Sequence, residues 1–417
     1  MVPNKFLPSQ LGEIPTDWSR VKFSDVMSVR QGLQISISKR LKVPTKTSKE
    51  YITIQSIKKT EQVREYVEAP TKRVTCSKED VLMTRTGNTG IVVTDVEGAF
   101  HNNFFLMDFD RQQVDRDFLV NYLRSNRVQH LILTKAGAST IPDLNHKDFY
   151  SIEFPLAPLP EQRKIAKILS TWDKAISTTE RLIDNSKQQK KALMQQLLTG
   201  KKRLLDDSGK PFDGKWVEII VGKAAELTAG ATPSTKNSKY WGGNIPWMNS
   251  GEINLKQVFS VEGRITEIGL QKSSTKLIPE NSILIALAGQ GKTRGTVAIN
   301  RVKLCTNQSI AAIMPNAKQL NSEFLYFNLD NRYRELRSMS TGDGGRGGLN
   351  LSILKSIKLH LPSLTEQQKI ASVLTNADRE IELLEQQLTD LKQEKKALMQ
   401  QLLTGKRRVK LDDKEVA

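Results

Sequence analysis

The feature that most constrains the fold of this chain is an eleven-residue stretch that occurs twice. It reads KALMQQLLTGK at Lys191–Lys201 and again at Lys396–Lys406, at an offset of 205 residues. The same offset joins Glu161-Gln162 to Glu366-Gln367, and no gap is needed between these pairs and the final lysines. A period of about half the chain is much longer than the roughly 20–50 residues of solenoid repeats. The sequence therefore contains a duplicated module.

The first copy of the module ends in a long stretch with helical periodicity. Pro160 and Glu161 suit the first turn of a helix, and Gly200 suits its C-terminal cap. About forty residues without an internal Gly or Pro predict a helix of roughly 60 Å, which needs a partner helix because globular helices are usually far shorter. Apolar residues recur there at steps of three, four or their sums: Ile165, Leu169, Trp172, Ile176, Ile183, Leu193 and Leu197.

The second copy predicts a similar helix. Thr365 is expected to be its N-cap, and Gln368, three residues later, would complete a capping box. Its apolar stripe consists of Ile370, Leu374, Ala377, Ile381, Leu384, Leu388, Leu391, Leu398 and Leu402.

The segments before the two helices predict domains of mixed strands and helices. In the first, Tyr51–Ile57 is predicted as a strand, and Asp80–Arg85 and Ile91–Thr94 as a hairpin around the turn Gly87–Gly90. Phe118–Leu123 has helical spacing. This mixture indicates an α+β arrangement.

The second domain repeats the plan of the first. Trp18 and Gly32 match Trp216 and Gly230 at an offset of 198 residues. The first-domain turn matches a longer turn at Gly289–Gly295. The dipeptides Asn102-Asn103 and Asn307-Gln308 also lie at matching places.

These patterns predict an α/β (α+β) fold with a pseudo-two-fold internal repeat. The predicted segments are a first domain at 1–155, a first long helix at 156–203, a second domain at 204–360, a second long helix at 361–406 and a charged tail at 407–417. The helices are alike in more than half of their positions, whereas the domains share only scattered anchors. Two binding modules with different targets would diverge in this way, and so would surfaces that drift without a partner.

The charge balance favours a polyanionic partner. Lys and Arg outnumber Asp and Glu by 63 to 45, which gives a net charge of +18 and a pI of about 9.7. Such an excess attracts polyanions, and nucleic acid is the leading class. An acidic protein partner, or no partner at all, stays open. A membrane surface is disfavoured because no basic amphipathic helix with a large apolar face stands out.

The sequence also indicates a cytoplasmic location. No apolar run is long enough to cross a bilayer, and Met1–Pro8 lacks the apolar core of a signal peptide. Cys76 and Cys305 are the only two cysteines, too few for a disulfide framework or a Cys-rich zinc site. Both are expected to be small buried hydrophobic residues.

The order of domain, helix, domain and helix resembles the specificity subunit of a Type I restriction–modification system. The resemblance covers the whole chain in architecture, and its specific motifs lie in the helices. In the first half they are Glu161-Gln162, Lys164-Ile165-Ala166, Leu169 and Leu193–Lys201. In the second half they are Glu366-Gln367, Lys369-Ile370-Ala371, Leu374 and Leu398–Lys406.

The resemblance implies a non-catalytic protein with two target-recognition domains, each reading one half of a bipartite site in double-stranded DNA. It implies that the two helices form an antiparallel coiled coil, which Leu193, Leu197, Leu398 and Leu402 would close. The implied partners are two adenine-methyltransferase (modification) subunits and the motor-nuclease (restriction) subunits. S-adenosylmethionine, ATP and Mg would be bound by those partners and not by this chain.

The candidate DNA-binding residues lie in polar, Gly-rich or basic loops. Arg reads guanine and Asn or Gln reads adenine in the major groove, while Lys usually contacts phosphate. A solvated turn or a plain connector is the competing interpretation for each loop. The candidates are Lys39, Arg40, Arg85, Thr86, Asn88, Ser139, Thr140, Lys236, Lys239, Gln290, Lys292, Arg294 and Arg346.

A docking surface for two identical partners is expected on the outer face of the repeated stretch. The candidate side chains are Gln195, Gln196, Gln400 and Gln401. Near-identity of the two copies is the reason to expect two such partners. The alternative is that the copies are alike only because they pack against each other.

No catalytic or metal site can be assembled from the sequence. His101, His130, His146 and His360 lack ligand spacing. Ala288–Thr293 resembles the end of a P-loop, but Ala286 stands where the motif needs its first Gly. No Pro-Pro occurs, so the Asn-Pro-Pro-aromatic motif of an adenine methyltransferase is absent.

Three other functions stay open at this stage. The chain could be a solitary DNA-binding or regulatory protein, or a coiled-coil scaffold whose domains bind proteins. A fused restriction enzyme is disfavoured by the missing motifs and by the length of 417 residues.

Overall fold

The computed structural model describes residues 6–10, 12–58, 64–138, 140–289, 293–339 and 348–411. The chain divides into two compact units, the first formed by residues 1–180 and 387–417 and the second by residues 181–386. Each unit therefore contains one predicted domain, the start of one long helix and the end of the other.

The first unit is built mainly from short strands. They are β1 (Phe6–Ser9), β2 (Gly12–Pro15), β3 (Ser19–Lys22), β4 (Met27–Gln31), β5 (Lys49–Ile52), β6 (Tyr66–Val67), β7 (Thr75–Cys76), β8 (Val81–Thr84), β9 (Val92–Val93), β10 (Gly98–Phe100), β11 (Phe104–Phe109) and β12 (Glu153–Leu156). The helices are α1 (Phe23–Val26), α2 (Ile54–Lys58), α3 (Arg116–Arg124), α4 (Asn126–Ala136), α5 (His146–Tyr150) and the first part of α6 (Leu159–Leu197).

Two four-stranded sheets organise the first unit. One has the order β4-β11-β8-β9 and is antiparallel throughout, and the other has the order β6-β5-β10-β7 with β5 and β10 parallel. Two further antiparallel pairs are β1-β2 and β3-β12. The predicted hairpin is confirmed, because β8 pairs with β9 through Leu82 opposite Val93.

Strand alternation explains why β8 and β11 are buried on both faces. Val81 and Met83 belong to the large core of the unit, together with Phe105. Leu82 points to the opposite face and joins Phe104 in a second cluster. Successive side chains of a strand lie on opposite faces, so the same two strands support two cores.

The second unit repeats this plan. Its strands are β13 (Val217–Ile220), β14 (Ala225–Ala229), β15 (Trp241–Met248), β16 (Gln257–Val258), β17 (Arg264–Ile265), β18 (Ile283–Ala286), β19 (Val297–Asn300), β20 (Cys305–Thr306), β21 (Ile310–Pro315) and β22 (Lys358–Leu361). Its helices are α7 (Val221–Ala224), α8 (Glu267–Gln271), α9 (Ser322–Asn331), α10 (Tyr333–Ser338), α11 (Leu351–Ser356), the last part of α6 and the first part of α12 (Leu364–Leu402).

The sheets of the second unit correspond to those of the first. One has the order β14-β21-β18-β19-β16, another β17-β15-β20, and β13 pairs with β22. Within β18, Ile283 and Ile285 belong to one core and Leu284 to another, as in the alternation of β8. Both units thus combine β-sheets with α-helices, which confirms the predicted mixed α/β fold.

The matched glycines lie where no side chain would fit. An ideal Cβ at Gly32 would lie 1.9 Å from the carbonyl oxygen of Phe100, and one at Gly230 would lie 2.2 Å from that of Thr306. Any larger residue would therefore push the two backbone segments apart. The sequence match at these positions has a steric cause.

Two local predictions were wrong. The predicted strand Tyr51–Ile57 ends at Ile52, because the Thr53 hydroxyl accepts a hydrogen bond from the Ser56 backbone N–H at 3.1 Å and starts the helix Ile54–Lys58. Thr365 does not cap the second long helix, which begins at Leu364; the Ser363 hydroxyl accepts from the Glu366 N–H at 3.3 Å.

Both long helices contain 39 residues. Gly200 follows the first and Gly405 the second, with φ values of +70° and +65°, as expected for a C-terminal cap. The repeated leucines enter the cores of the units: Leu197 packs in the core that contains Ile370, and Leu402 in the core that contains Ile165. Leu193 and Leu398 are partly buried beside them.

The helices pair antiparallel within each unit. In the first unit, Lys395 contacts Asp173 at 2.5 Å and Lys392 contacts Glu180 at 2.8 Å. In the second unit, Lys190 pairs with Asp378, and Lys187 contacts Glu385 at 2.6 Å. Residue numbers rise along one helix as they fall along the other, which confirms the predicted antiparallel pairing.

A buried ion pair explains the Glu of the Glu-Gln motif in the first unit. Glu161 is 2% exposed and accepts hydrogen bonds from the Arg408 guanidinium at 2.7 and 2.8 Å. Glu161 also accepts from the Trp18 indole N–H at 3.1 Å, and Arg408 lies over that ring. Arg408 therefore joins the start of α6 to the segment after α12. Its hydrogen bonds to Glu161 raise the pKa of Arg408.

The same ion pair recurs in the second unit. Glu366 is 1% exposed and accepts from Arg203 in two hydrogen bonds of 2.7 Å, and the Arg203 guanidinium lies 5.9 Å from the Trp216 ring centre. These hydrogen bonds raise the pKa of Arg203. The pair joins the start of α12 to the segment after α6.

The Gln of the motif has an equally local role. The Gln162 side chain accepts from the Asp115 N–H at 2.9 Å and donates to the carbonyl oxygens of Gln113 and Ala157 at 2.8 Å. Gln367 does the same for Asn321, Gln319 and Pro362. This amide fixes the loop that precedes α3 in the first unit and the loop that precedes α9 in the second.

Replacing Arg408 by alanine is expected to destabilise the first unit by about 3 kcal/mol, because Glu161 would stay buried without its cation. Lys392→Ala removes the cation of a pair whose side chains are 52% and 49% exposed, and is expected to cost at most about 0.5 kcal/mol. Chemical denaturation followed by circular dichroism measures both. Equal stability of the two variants would contradict the importance of the buried pair.

Candidate nucleic-acid interface

A cleft of about 690 Å³ lies in the first unit, where several turns of its two sheets meet. We call it the first-unit cleft. Three of the sequence candidates, Arg40, Thr86 and Asn88, line it. The other lining residues are Ile37, Tyr51, Thr53, Ile54, Gln55, Ser56, Glu65, Gly87, His101, Asn103 and Ile141.

Arg40 is held in place by its neighbours in the cleft. Its guanidinium donates to Glu65 at 2.8 Å and lies 5.1 Å from the centre of the Tyr51 ring. The adjacent Lys42 also contacts Glu65 at 2.5 Å, and these hydrogen bonds lower the pKa of Glu65. Arg40 is thus anchored, whereas Lys39 beside it is exposed.

Arg85 and Thr86 share one carboxylate. The Arg85 guanidinium donates to both oxygens of Asp143 at 2.9 Å and lies 5.3 Å from the Phe105 ring centre. The Thr86 hydroxyl donates to the same Asp143 at 2.5 Å. With 18% of its side chain exposed, Arg85 positions the turn that carries Asn88. A base contact by Arg85 stays a prediction.

His101 also lines the cleft. Its Nδ1 accepts a hydrogen bond from the Asn103 backbone N–H at 3.1 Å, which leaves Nε2 as the donor of the neutral ring. Burial lowers the pKa of His101, and the positive charge of Arg40 lowers it further. The ring is therefore neutral at physiological pH.

Sequence reasoning missed part of this cleft. Gln55 was placed in the strand predicted at Tyr51–Ile57, although it lies in the first turn of the helix that begins at Ile54. Asn103 was noted only as part of a matched dipeptide. That match was the signal available for Asn103, since polar pairs at equivalent places of both domains mark equivalent turns.

Shared backbone hydrogen bonds correct the register of that match. The Arg85 N–H donates to Asn103 and the Leu287 N–H donates to Ser309, at 2.7 and 2.8 Å. The Asn103 N–H also donates to His101 as the Ser309 N–H donates to Asn307, both at 3.1 Å. Asn103 therefore corresponds to Ser309, one residue beyond the predicted Gln308.

The second unit carries different side chains at the equivalent turns. Lys236 and Lys239 are exposed in the loop before β15. Trp241 and Trp247 stack edge to face at 5.0 Å, and their indole N–H groups donate to backbone carbonyls. The second-unit loop is thus basic with an aromatic support, a composition that suits phosphate contact.

The remaining candidates are spread over other loops. Thr140 is exposed in the first unit, and Arg294 is partly exposed in the turn that ends at Gly295. Ser139, Gln290, Lys292 and Arg346 lie outside the described residues. The structure therefore groups Arg40, Thr86 and Asn88 in one cleft and does not group the whole candidate set.

The glutamines expected to form a docking surface lie on the outside of the helices. Gln195 and Gln196 are exposed near the end of α6, and Gln400 and Gln401 are exposed near the end of α12. Each pair lies next to buried leucines of its own unit. Their exposure agrees with the predicted outer face, and binding by them stays a prediction.

Across residues 6–411, outside the gaps given above, no group of three or more His, Cys, Asp or Glu side chains could hold a metal ion. In the same residues, no helix is long and apolar enough to span a bilayer.

A family model for the type I restriction modification DNA specificity domain matches residues 15–186 and again residues 214–393. Together the two matches cover most of the chain. The chain belongs to this family of specificity domains. Each match contains most of one predicted domain and most of the long helix that follows it, so the duplicated module corresponds to one specificity domain.

Known proteins of full length resemble the whole chain. A Methanocaldococcus jannaschii protein assigned as the specificity subunit of the type I restriction enzyme MjaX is 26% identical over 97% of both chains. The S subunit of a type I restriction–modification system from M. genitalium has the same fold, with a TM-score of 0.58, 16% identity and coverage of 96% of this chain and 99% of its own.

A third resemblance comes from a solved structure that describes complex assembly and conformational transition of the type I restriction–modification system. One of its chains matches with a TM-score of 0.60 and 19% identity, and the match covers 94% of this chain and 99% of that one. Fold and family thus agree that this chain is a type I specificity subunit with two specificity domains.

Proposed function

We propose that this specificity subunit binds double-stranded DNA, with each unit reading one half of a bipartite site. The observation that carries the proposal is the repetition of one specificity domain with different side chains at equivalent turns. The Arg85 position of the first unit is Leu287 in the second, and Asn103 is replaced by Ser309. Two such surfaces would bind two different half-sites.

The charge of the chain supports this partner. A net charge of +18 favours binding to phosphate, and exposed Lys39, Lys236 and Lys239 lie on the loops that we assign to DNA contact. Arg40, Thr86 and Asn88 would line the base-reading part of the first unit. The proposed contact set is completed by Thr140 and Arg294, together with Ser139, Gln290, Lys292 and Arg346, which lie outside the described residues.

The subunit would direct chemistry performed by other proteins and carry out none itself. Two adenine-methyltransferase (modification) subunits and the motor-nuclease (restriction) subunits are the proposed partners. S-adenosylmethionine, ATP and Mg would be bound by these partners. A complex of this kind would act on DNA in the cytoplasm.

Binding to DNA can be distinguished from the scaffold alternative by salt. The full chain is expected to bind a randomised duplex at low salt and to lose about 10³-fold or more in affinity between 50 and 200 mM salt, because bound cations are released from the phosphates. Fluorescence anisotropy measures this dependence. A protein-binding scaffold would show no duplex binding, or a weak salt dependence.

The exposed glutamines provide a test of partner docking. A variant with Gln195, Gln196, Gln400 and Gln401 changed to alanine is expected to lose co-purification with the methyltransferase subunits and to keep its helicity, because all four are exposed. The control is Gln393→Ala, an exposed amide elsewhere on α12. Unchanged co-purification of the fourfold variant would remove the docking assignment, and a wild-type chain that binds no such subunit would indicate a solitary DNA-binding protein.

A further inference from the structure

Three side-chain amides in the first-unit cleft have no hydrogen-bond partner among the residues that the structure describes. They belong to Gln55, Asn88 and Asn103. Gln55 and Asn88 are exposed and Asn103 is half-buried. Gln55 lies in α2, which follows β5, whereas Asn88 lies in the turn after β8 and Asn103 lies just before β11. Each amide can therefore donate and accept toward a ligand in the cleft.

The fold does not require the amides of Gln55 and Asn103. The His101 N–H donates to Ile52 as the Asn307 N–H donates to Met248, at 2.9 and 3.0 Å, so the segment after Ile52 matches the segment after Met248. By this register Gln55 corresponds to Gly251, and Asn103 corresponds to Ser309 as shown above. Neither counterpart carries an amide, although the backbone follows the same course.

The guanidinium group of Arg40 in the cleft and that of Arg85, next to the lining residue Thr86, are both engaged by carboxylates. Arg40 is bound to Glu65, and Arg85 is bound through both of its hydrogen bonds to Asp143. Guanine is read mainly by a free Arg or Lys, which donates to its O6 and N7. The side-chain groups that stay available in the cleft are therefore the three amides and the Nε2–H of His101, and the amides match the N7 acceptor and the N6 donor of adenine.

Two exposed isoleucines occupy the same cleft. Ile37 and Ile141 are 70% and 63% exposed, and both line the cleft. Apolar side chains contact the C5-methyl group of thymine in the major groove. The amides can bind adenine and the isoleucines can contact the thymine methyl group, so together they match an A·T pair.

We infer that the first unit reads an A·T pair through the first-unit cleft, with Gln55, Asn88 and Asn103 on the adenine and Ile37 or Ile141 on the thymine methyl group. This inference rests on the proposed DNA-binding function and adds to it the class of base pair that the first unit selects. Arg85 becomes a positioning residue that holds the Asn88 turn through Asp143.

The test starts from a library of randomised duplexes, from which the full-length wild-type chain selects its bipartite site. The same selection is made with a variant in which Gln55, Asn88 and Asn103 are alanine. We expect the variant to lose the A·T requirement at one or more positions of one half-site and to keep the other half-site. Gln112→Ala, which removes an exposed amide outside the cleft, is expected to select the wild-type site.

Modified duplexes identify the atoms involved. At the position that the triple variant relaxes, 7-deazaadenine lacks the N7 acceptor and is expected to weaken wild-type binding by about tenfold, without weakening the variant. Uracil in place of the paired thymine lacks the methyl group. This replacement is expected to weaken DNA binding by the wild type more than DNA binding by the Ile37→Ala, Ile141→Ala double variant. A wild-type chain that tolerates both analogues would overturn the inference.

Each failure has a different signature. Selection of an unchanged site by the triple variant, or a G·C pair at the relaxed position, overturns this inference and leaves the proposed function standing. A wild-type chain that selects no sequence overturns both. Circular dichroism of the triple variant is expected to match the wild type, because the three amides make no hydrogen bond within the described part of their unit.

Discussion

The buried ion pair between Glu161 and Arg408, with its copy between Glu366 and Arg203, is the interaction on which each unit depends. In both units a carboxylate that is almost fully buried begins one long helix and is neutralised by an arginine that follows the end of the other. An unpaired carboxylate there would be costly, so each unit needs both helices in place. A tryptophan lies over each arginine and covers the pair.

This constraint explains which parts of the duplicated module stayed alike. The Glu-Gln pair, the apolar stripe and the Lys-rich end all belong to the contact between the start of one long helix and the end of the other. Each unit contains one such contact. The turns at the far end of each domain make no such connection. Leu287 can therefore replace Arg85, and Ser309 can replace Asn103, while the backbone hydrogen bonds at these positions persist.

Long-period features were predictable from the sequence, and short-range ones were less so. The two helices of 39 residues follow from a periodicity that many residues share, and their glycine caps and the hairpin at Leu82 follow from strong Gly signals at their ends and turn. The end of the strand at Ile52 depended on one hydroxyl, that of Thr53, and the start of the second helix depended on Ser363 instead of Thr365. A single side chain decides such boundaries, and a sequence pattern averages over it.

The candidate interface shows the same division. Arg40, Thr86 and Asn88 were found from loop composition, because basic and amide residues in Gly-rich turns are visible without a structure. Gln55 was missed because a β-branched segment concealed a helix start. The engagement of Arg85 by Asp143 joins residues 58 positions apart, and no local pattern indicates such a pair.

Mapping methylated adenines across the genome of cells with and without this chain tests the central claim most directly. If two units of one specificity subunit read two half-sites, methylation will mark a bipartite motif with a fixed unspecified spacer, and that motif will disappear when the chain is absent. A methylation pattern that is unchanged by loss of the chain would contradict the account.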